Sequence, residues 1–174
     1  MKDVKDYIRS IPNFPKEGVI FRDITTVIQN PEGFKLAVDK LQECLEGVDF
    51  DVIAAAEARG FIFASPIAYN MSKGISLVRK KGKLPCDTVE QSYDLEYGSA
   101  TVEMHTDSIK PGDKVVLVDD LIATGGTLEA AAKLVEKLGG EVVMVLCIVE
   151  LPALKGRERL KGYNIKTIVE YDGD

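Results

Sequence analysis

Residues Val115–Thr127 read VVLVDDLIATGGT, and their reading decides the fold. The apolar run Val115 to Val118 predicts a strand (Lys114 to Val118) buried on both faces, ending at the acidic pair Asp119-Asp120. A helix from near Thr124 to Leu138 follows, closed by Gly139-Gly140. Ligands of open α/β sheets gather at the carboxyl ends of strands, and a helix that starts there offers unpaired N–H groups and the positive end of its dipole. Gly125 and Gly126 let the backbone approach an anion closely, while Thr124 and Thr127 add hydroxyl donors. Together with Ala123 they predict a seat for a phosphate monoester. Asp119 and Asp120 would repel that phosphate, so they must serve another part of the same ligand. Vicinal sugar hydroxyls suit them, and so does a magnesium ion. A ligand with a phosphate at one end and a diol near its middle is a ribose 5-phosphate. Two commoner phosphate loops are excluded, since no Lys follows the glycines and no G-x-G-x-x-G occurs.

Working outward, the flanking segments alternate between apolar strands and amphipathic helices. A short amphipathic helix is expected over Val4, Tyr7, Ile8 and Ile11, followed by an ordered loop, PNFPKEGVIFRDIT, whose prolines and glycine forbid a helix. Phe34, Ala37, Val38, Leu41 and Leu45 recur at helical spacing, with Pro31 suited to the first turn. DVIAAAEARG predicts a short buried strand ending in charge, and FIFASPIAYNM a helix with Pro66 in its first turns. After the apolar strand ISLVRK and the basic turn KKGKLP, the stretch DTVEQSYDLEYGSATVEMH alternates as a hairpin would. A buried strand over Val142–Val149, a short helix near Leu154–Leu160 and a last strand over Ile165–Val169 complete the chain. This order predicts an α/β fold, a mostly parallel central sheet flanked by helices in one domain spanning 1–174.

Composition excludes several function classes. With 22 Lys and Arg against 28 Asp and Glu the chain carries −6, which argues against a nucleic-acid partner held by bulk charge. Any phosphate must therefore be held by a local cluster. Cys44, Cys86 and Cys147 are scattered and His105 is the only histidine, so neither a zinc site nor a disulfide framework is expected. The opening residues contain no apolar h-region and no segment is long and uncharged enough to span a bilayer, which together predict a reduced, cytoplasmic protein without a membrane partner.

VVLVDDLIATGGT resembles the phosphoribosyl pyrophosphate (PRPP) signature of type I phosphoribosyltransferases. Within that superfamily the chain resembles the adenine phosphoribosyltransferases, through PNFPKEGVIFRDIT, EARGF, RKKGKLP, YDLEYG and VELPALKGRERL, spread over nearly its full length. The resemblance implies transfer of the phosphoribosyl group of PRPP to adenine, giving AMP and pyrophosphate, in a homodimer. It also implies a small N-terminal hood (about 12–26), a hairpin lid (about 79–105) and Mg²⁺ held mainly by PRPP, with Asp119 a further candidate ligand.

The other segments acquire roles in the same way. Arg79, Lys80, Lys81 and Lys83 follow an apolar strand and so fall at the ligand edge of the sheet. The resemblance implies that Arg79, Lys80 and Lys83 help bind pyrophosphate, in part across a dimer interface, with His105 able to join them. It assigns Arg59 of EARGF to the pyrophosphate as well, which suits guanidinium geometry; an ion pair with Glu57 is the alternative. Phe21 is expected against the adenine ring, main-chain groups near Ile20 and Arg22 at its edge, and Leu121 beside it. Glu96 in the lid is implied to deprotonate or orient the adenine. In the hypoxanthine-guanine enzymes an acidic residue stands where this chain has Ala123, so the base must come from elsewhere, and Glu96 is available. The catalytic set is thus Glu96, Asp119, Asp120 and Arg59. Two rival readings are a PRPP-binding regulator without catalysis and a transferase for another purine base; no spare DNA-binding segment supports the first, and Ala123 speaks against hypoxanthine or guanine as the acceptor.

Overall fold

The computed structural model describes residues 1–95 and 97–173. A 3₁₀ turn over Val4–Tyr7 leads into strands β1 (Arg9–Pro12) and β2 (Ile20–Asp23), a two-stranded antiparallel sheet with Ile11 opposite Phe21. The predicted N-terminal helix is therefore corrected to one turn and a strand. Its apolar spacing is compatible with a helix, but pairing of Arg9–Pro12 with β2 satisfies that backbone instead. The expected loop likewise contains β2 and a helical turn, α1 (Thr25–Ile28).

Helix α2 (Pro31–Glu43) starts as its sequence requires: Asn30 caps the N–H groups of Glu32 and Gly33 at 3.0 Å each, with Pro31 in the first turn. Strand β3 (Val52–Ala56) feeds helix α3 (Arg59–Met71), then strand β4 (Gly74–Lys80). Pro66 lies in the middle of α3 rather than in its first turns, because the helix already begins at Arg59. Strands β5 (Thr88–Asp94) and β6 (Ser99–His105) form the predicted hairpin.

Strand β7 (Lys114–Ile122), helix α4 (Gly126–Lys137), strand β8 (Glu141–Glu150), a 3₁₀ turn (Pro152–Leu154), helix α5 (Gly156–Arg159) and strand β9 (Ile165–Glu170) follow. β7 runs four residues beyond Val118, so Asp119 and Asp120 are strand residues and not a turn; their backbone continues the parallel ladder with β8, Asp119 opposite Cys147. Helix α4 correspondingly starts at Gly126, not Thr124.

The main sheet has the order β5-β6-β4-β3-β7-β8-β9. β4, β3, β7, β8 and β9 are mutually parallel, and the β5–β6 hairpin joins β4 antiparallel through β6. Alternation along β7 divides the core. Val116 and Val118 pack with Phe63, Ile67 and Leu41 of the α2–α3 layer, whereas Val115 and Leu117 pack with Leu128, Leu134 and Val135 of α4. Both faces are covered, which is why the strand is apolar from Val115 to Val118. Among the described residues, no helix is long and apolar enough to cross a membrane.

Candidate active site

β3 and β7 lie side by side and parallel, with Ala55 opposite Val118. Their carboxyl ends, and the helices that follow each, therefore open onto the same edge. A cavity of about 1000 Å³ occupies that edge, lined by Glu57, Ala58 and Arg59 after β3, Asp119 to Leu121 in β7, and Ala123 to Leu128 in the loop and first turn of α4. Lys80 enters from β4, Tyr93 to Leu95 from the end of β5, and Arg159 from α5.

The acidic pair is asymmetric. Asp120 is buried and its Oδ2 accepts from Arg59 Nε at 2.5 Å. The Oδ1 of Asp119 accepts the Asp120 N–H at 2.8 Å. Burial, reinforced by the neighbouring Asp120 charge, pushes the Asp119 carboxyl well above the usual carboxylate range. Gly60 lets α3 approach this pair: a Cβ there would stand 2.9 Å from the Val118 carbonyl oxygen and 3.2 Å from Asp119 Cα.

The Gly-rich loop has the form an anion seat needs. Gly125 adopts φ +85° and caps α4, and the helix N-terminus opens toward the cavity. Thr127 Oγ1 donates to Tyr93 Oη at 3.1 Å, tying the first turn of α4 to the lid strand. Ala123, Thr124, Gly125, Gly126 and Thr127 all line the cavity, together with Asp119, Asp120, Leu121, Arg59 and Lys80.

The remaining sequence candidates sit outside that lining. Arg79 Nε lies 3.5 Å from Glu57 Oε1, and the same carboxylate oxygen accepts the Lys80 N–H at 2.5 Å. Glu57 thus pairs with Arg79, not with Arg59 as the alternative reading had it. Lys83 belongs to a turn wrapped on the buried Glu103 carboxylate, which the N–H of Leu84, foremost, and those of Gly82 and Lys83 hold below its ordinary range. His105 Nε2 accepts the Cys86 N–H at 3.3 Å. Ile20, Phe21 and Arg22 form the hood strand β2. The Phe21 ring meets Phe14 edge-on at 5.3 Å, and the Arg22 guanidinium lies 4.0 Å over the Tyr171 ring. Asp23, next along β2, is close enough to Arg59 to help hold its charge, which relates the hood to the cavity. Glu96, the expected base, lies outside the described residues.

Sequence reasoning missed Tyr93 and Arg159 in the lining. Tyr93 was legible only as one member of an alternating strand, and Arg159 as one charge in KGRERL. Nothing local marks either; each reaches the loop through tertiary packing.

Residues 23–173 match the family described as phosphoribosyl transferase domain. Adenine phosphoribosyltransferases of Lachnoclostridium phytofermentans and Agathobacter rectalis are 61% and 62% identical to the chain, each over 99% of both proteins. The crystal structure of adenine phosphoribosyltransferase from Thermoanaerobacter pseudethanolicus superposes with a TM-score of 0.93 at 48% identity, covering 97% of this chain and 98% of that one. That of the Saccharomyces cerevisiae enzyme, complexed with D-2,5-dideoxy-2,5-imino-altritol 1,6-bisphosphate and adenine, gives 0.90 at 37%, covering 95% and 96%. With fold, cavity and sequence in agreement from end to end, the chain belongs to the adenine phosphoribosyltransferase family.

Proposed function

We propose that the cavity is where the chain joins adenine to PRPP, giving AMP and pyrophosphate as in purine salvage. One observation carries this assignment. A phosphate-type helix N-terminus and the two carboxylates of the preceding strand belong to one strand–loop–helix unit, and both face the same cavity as Arg59 and Lys80.

The 5′-phosphate takes the N–H groups and hydroxyls of Ala123 to Thr127, and Asp119 and Asp120 accept hydrogen bonds from the ribose hydroxyls. Arg59, with Arg79, Lys80, Lys83 and His105, is assigned to the pyrophosphate end; the last four form the basic edge of the lid. Ile20, Phe21, Arg22 and Leu121 are assigned to the adenine. As the bond from C1′ to the pyrophosphate oxygen breaks, positive charge grows on the ribose and the two carboxylates stabilise it. Adenine N9 forms the new bond to C1′ and its proton passes to Glu96. Holding both reactants in line supplies much of the remaining acceleration, and a closed lid keeps water from the ribosyl cation.

The carboxylates also bear on Mg²⁺. Asp119 lines the cavity, and a carboxylate is the oxygen donor such an ion takes; the ion would be kept mainly by substrate oxygens, with Asp119 as its protein ligand. Mg²⁺ so held would supply charge neutralisation to the leaving pyrophosphate. A cytoplasmic homodimer is the assembly we propose.

The test is direct: incubate the chain with PRPP and Mg²⁺, offer each nucleobase separately and measure pyrophosphate. Release with adenine is expected. Release with guanine but not adenine overturns the base assignment, and PRPP binding without release for any base favours a regulator.

A further inference from the structure

We propose that Arg159 is the cationic contact of the 5′-phosphate, supplied from outside the loop that seats it; this rests on the reading of that loop given above. The loop itself has no cation. Residues 121–128 read LIATGGTL, so a phosphate dianion would meet only N–H dipoles and hydroxyls there. The other cations lining the cavity stand elsewhere: Arg59 is held by Asp120, and Lys80 ends β4, which β3 separates from β7.

Arg159 is at the phosphate end. Its Nη1 lies 2.8 Å from where a Cβ on Gly126 would stand, and the Tyr93 ring approaches that same point to 3.0 Å. Gly126 therefore leaves open the space in which the guanidinium meets the loop. Two anchors hold α5 in place on either side of this arginine. Arg157 pairs bidentately with the buried Glu150 carboxylate at 2.7 and 2.8 Å, and Leu160 is fully buried. Behind the loop the backbones touch so closely that a Cβ on Gly125 would stand 2.9 Å from the Gly156 carbonyl oxygen.

The guanidinium is not consumed by its own surroundings. Among the described residues the nearest carboxylate oxygen, on Glu129, is 3.8 Å from Nε, outside hydrogen-bond range. A planar fork with free donors beside a helix N-terminus matches a phosphate monoester better than a lysine would. Such a contact is made equally in substrate and transition state, so it sets affinity and leaves turnover alone.

The test compares wild type with Arg159→Gln and Arg159→Lys by calorimetric titration with ribose 5-phosphate and, separately, pyrophosphate. Arg159→Gln is expected to weaken ribose 5-phosphate about tenfold or more, the usual effect of losing one charged hydrogen bond. Pyrophosphate affinity should stay unchanged, and Arg159→Lys should recover part of the loss. In steady state, KM for PRPP should rise by a similar factor with kcat within about twofold. Unchanged ribose 5-phosphate affinity in the Gln variant overturns the inference, and so does an equal loss for pyrophosphate. Glu129→Gln separates a structural role: the same loss there would mean that the Arg159–Glu129 contact merely props α4. Should the Gln variant fail to fold, the Lys variant decides, since losing the fork geometry alone must still weaken binding measurably. A wild type that does not bind ribose 5-phosphate overturns the reading of the loop itself, a different failure from that of Arg159.

Discussion

Arg59 Nε donates to Asp120 Oδ2 at 2.5 Å across the junction of β3 and β7. A residue assigned to the leaving pyrophosphate is thus held, without substrate, by a residue assigned to the ribose. The contact uses one of the five guanidinium donors and one carboxylate oxygen, so Arg59 keeps donors for phosphate oxygens and Asp120 keeps an oxygen for hydroxyl donors while the pair stays joined.

Replacing Asp120 with Asn follows from that relationship. The amide keeps the shape and a hydrogen-bond acceptor but loses the charge facing the ribose as its bond to pyrophosphate stretches. We expect kcat to fall on the order of a hundredfold, and the dissociation constant of PRPP to change by less than about tenfold because the charge matters most in the transition state. Equal losses in both, from single-turnover rates and equilibrium binding, would remove the electrostatic role.

Glu96→Gln tests the proton acceptor. Turnover should drop while PRPP affinity stays nearly intact, since the residue is assigned to the adenine alone. An unchanged rate would leave Glu96 a role only in positioning the lid.

Gly156→Ala probes the loop from behind. An added methyl would stand 2.6 Å from both the Ala123 carbonyl oxygen and Ile122 Cγ2, so the backbone must move. A loss of about 1–3 kcal/mol in denaturant unfolding is expected, with KM for PRPP raised several-fold and that for adenine changed less. Wild-type KM values together with lowered stability would show that loop and α5 yield independently.

The hood carries a pH dependence of defined sign. The Thr25 hydroxyl, then Arg9, lower the Asp23 carboxyl from 3.8 to about 2. A depressed folded value means that this stabilisation is fully present above about pH 4 and is lost as the pH falls toward 2. Wild type should therefore be more stable than Asp23→Asn at neutral pH, and the gap in urea midpoints should close between about pH 4 and pH 2. A gap that stayed constant to the acid end would assign the effect to packing.

Much of the fold was legible because β7 and β8 are buried on both faces, and only strands under that constraint read as unbroken apolar runs. That the Gly-Thr loop would line the cavity was legible for a local reason: glycine and threonine between strand and helix carry their chemistry with them. What failed was non-local. Val4, Tyr7, Ile8 and Ile11 fit helical spacing, yet the last of them pairs with Phe21 in a strand. The partner of Arg59 could not be read from EARGF, where Glu57 is the near neighbour in sequence; parallel pairing of β3 with β7 brings Asp120 instead. Arg159 reaches Gly126 across more than thirty residues of chain, and no spacing rule connects them.

The seating of Gly156 against Gly125 has a consequence for the order in which the molecule is made. A ribosome delivers the chain from its amino end, so β3, β7 and the phosphate loop emerge before the segment that braces them. The loop has its glycines, its threonines and both carboxylates by Thr127, but its backing arrives only with Gly156, Arg157 and Leu160, and the ring beneath the hood's Arg22 only with Tyr171. A nascent chain ending at Glu150 would hold every signature residue and still lack a finished cradle. On the proposed assignment, competence to bind the sugar phosphate is acquired only once the segment from Gly156 to Tyr171 has been made and packed behind the loop.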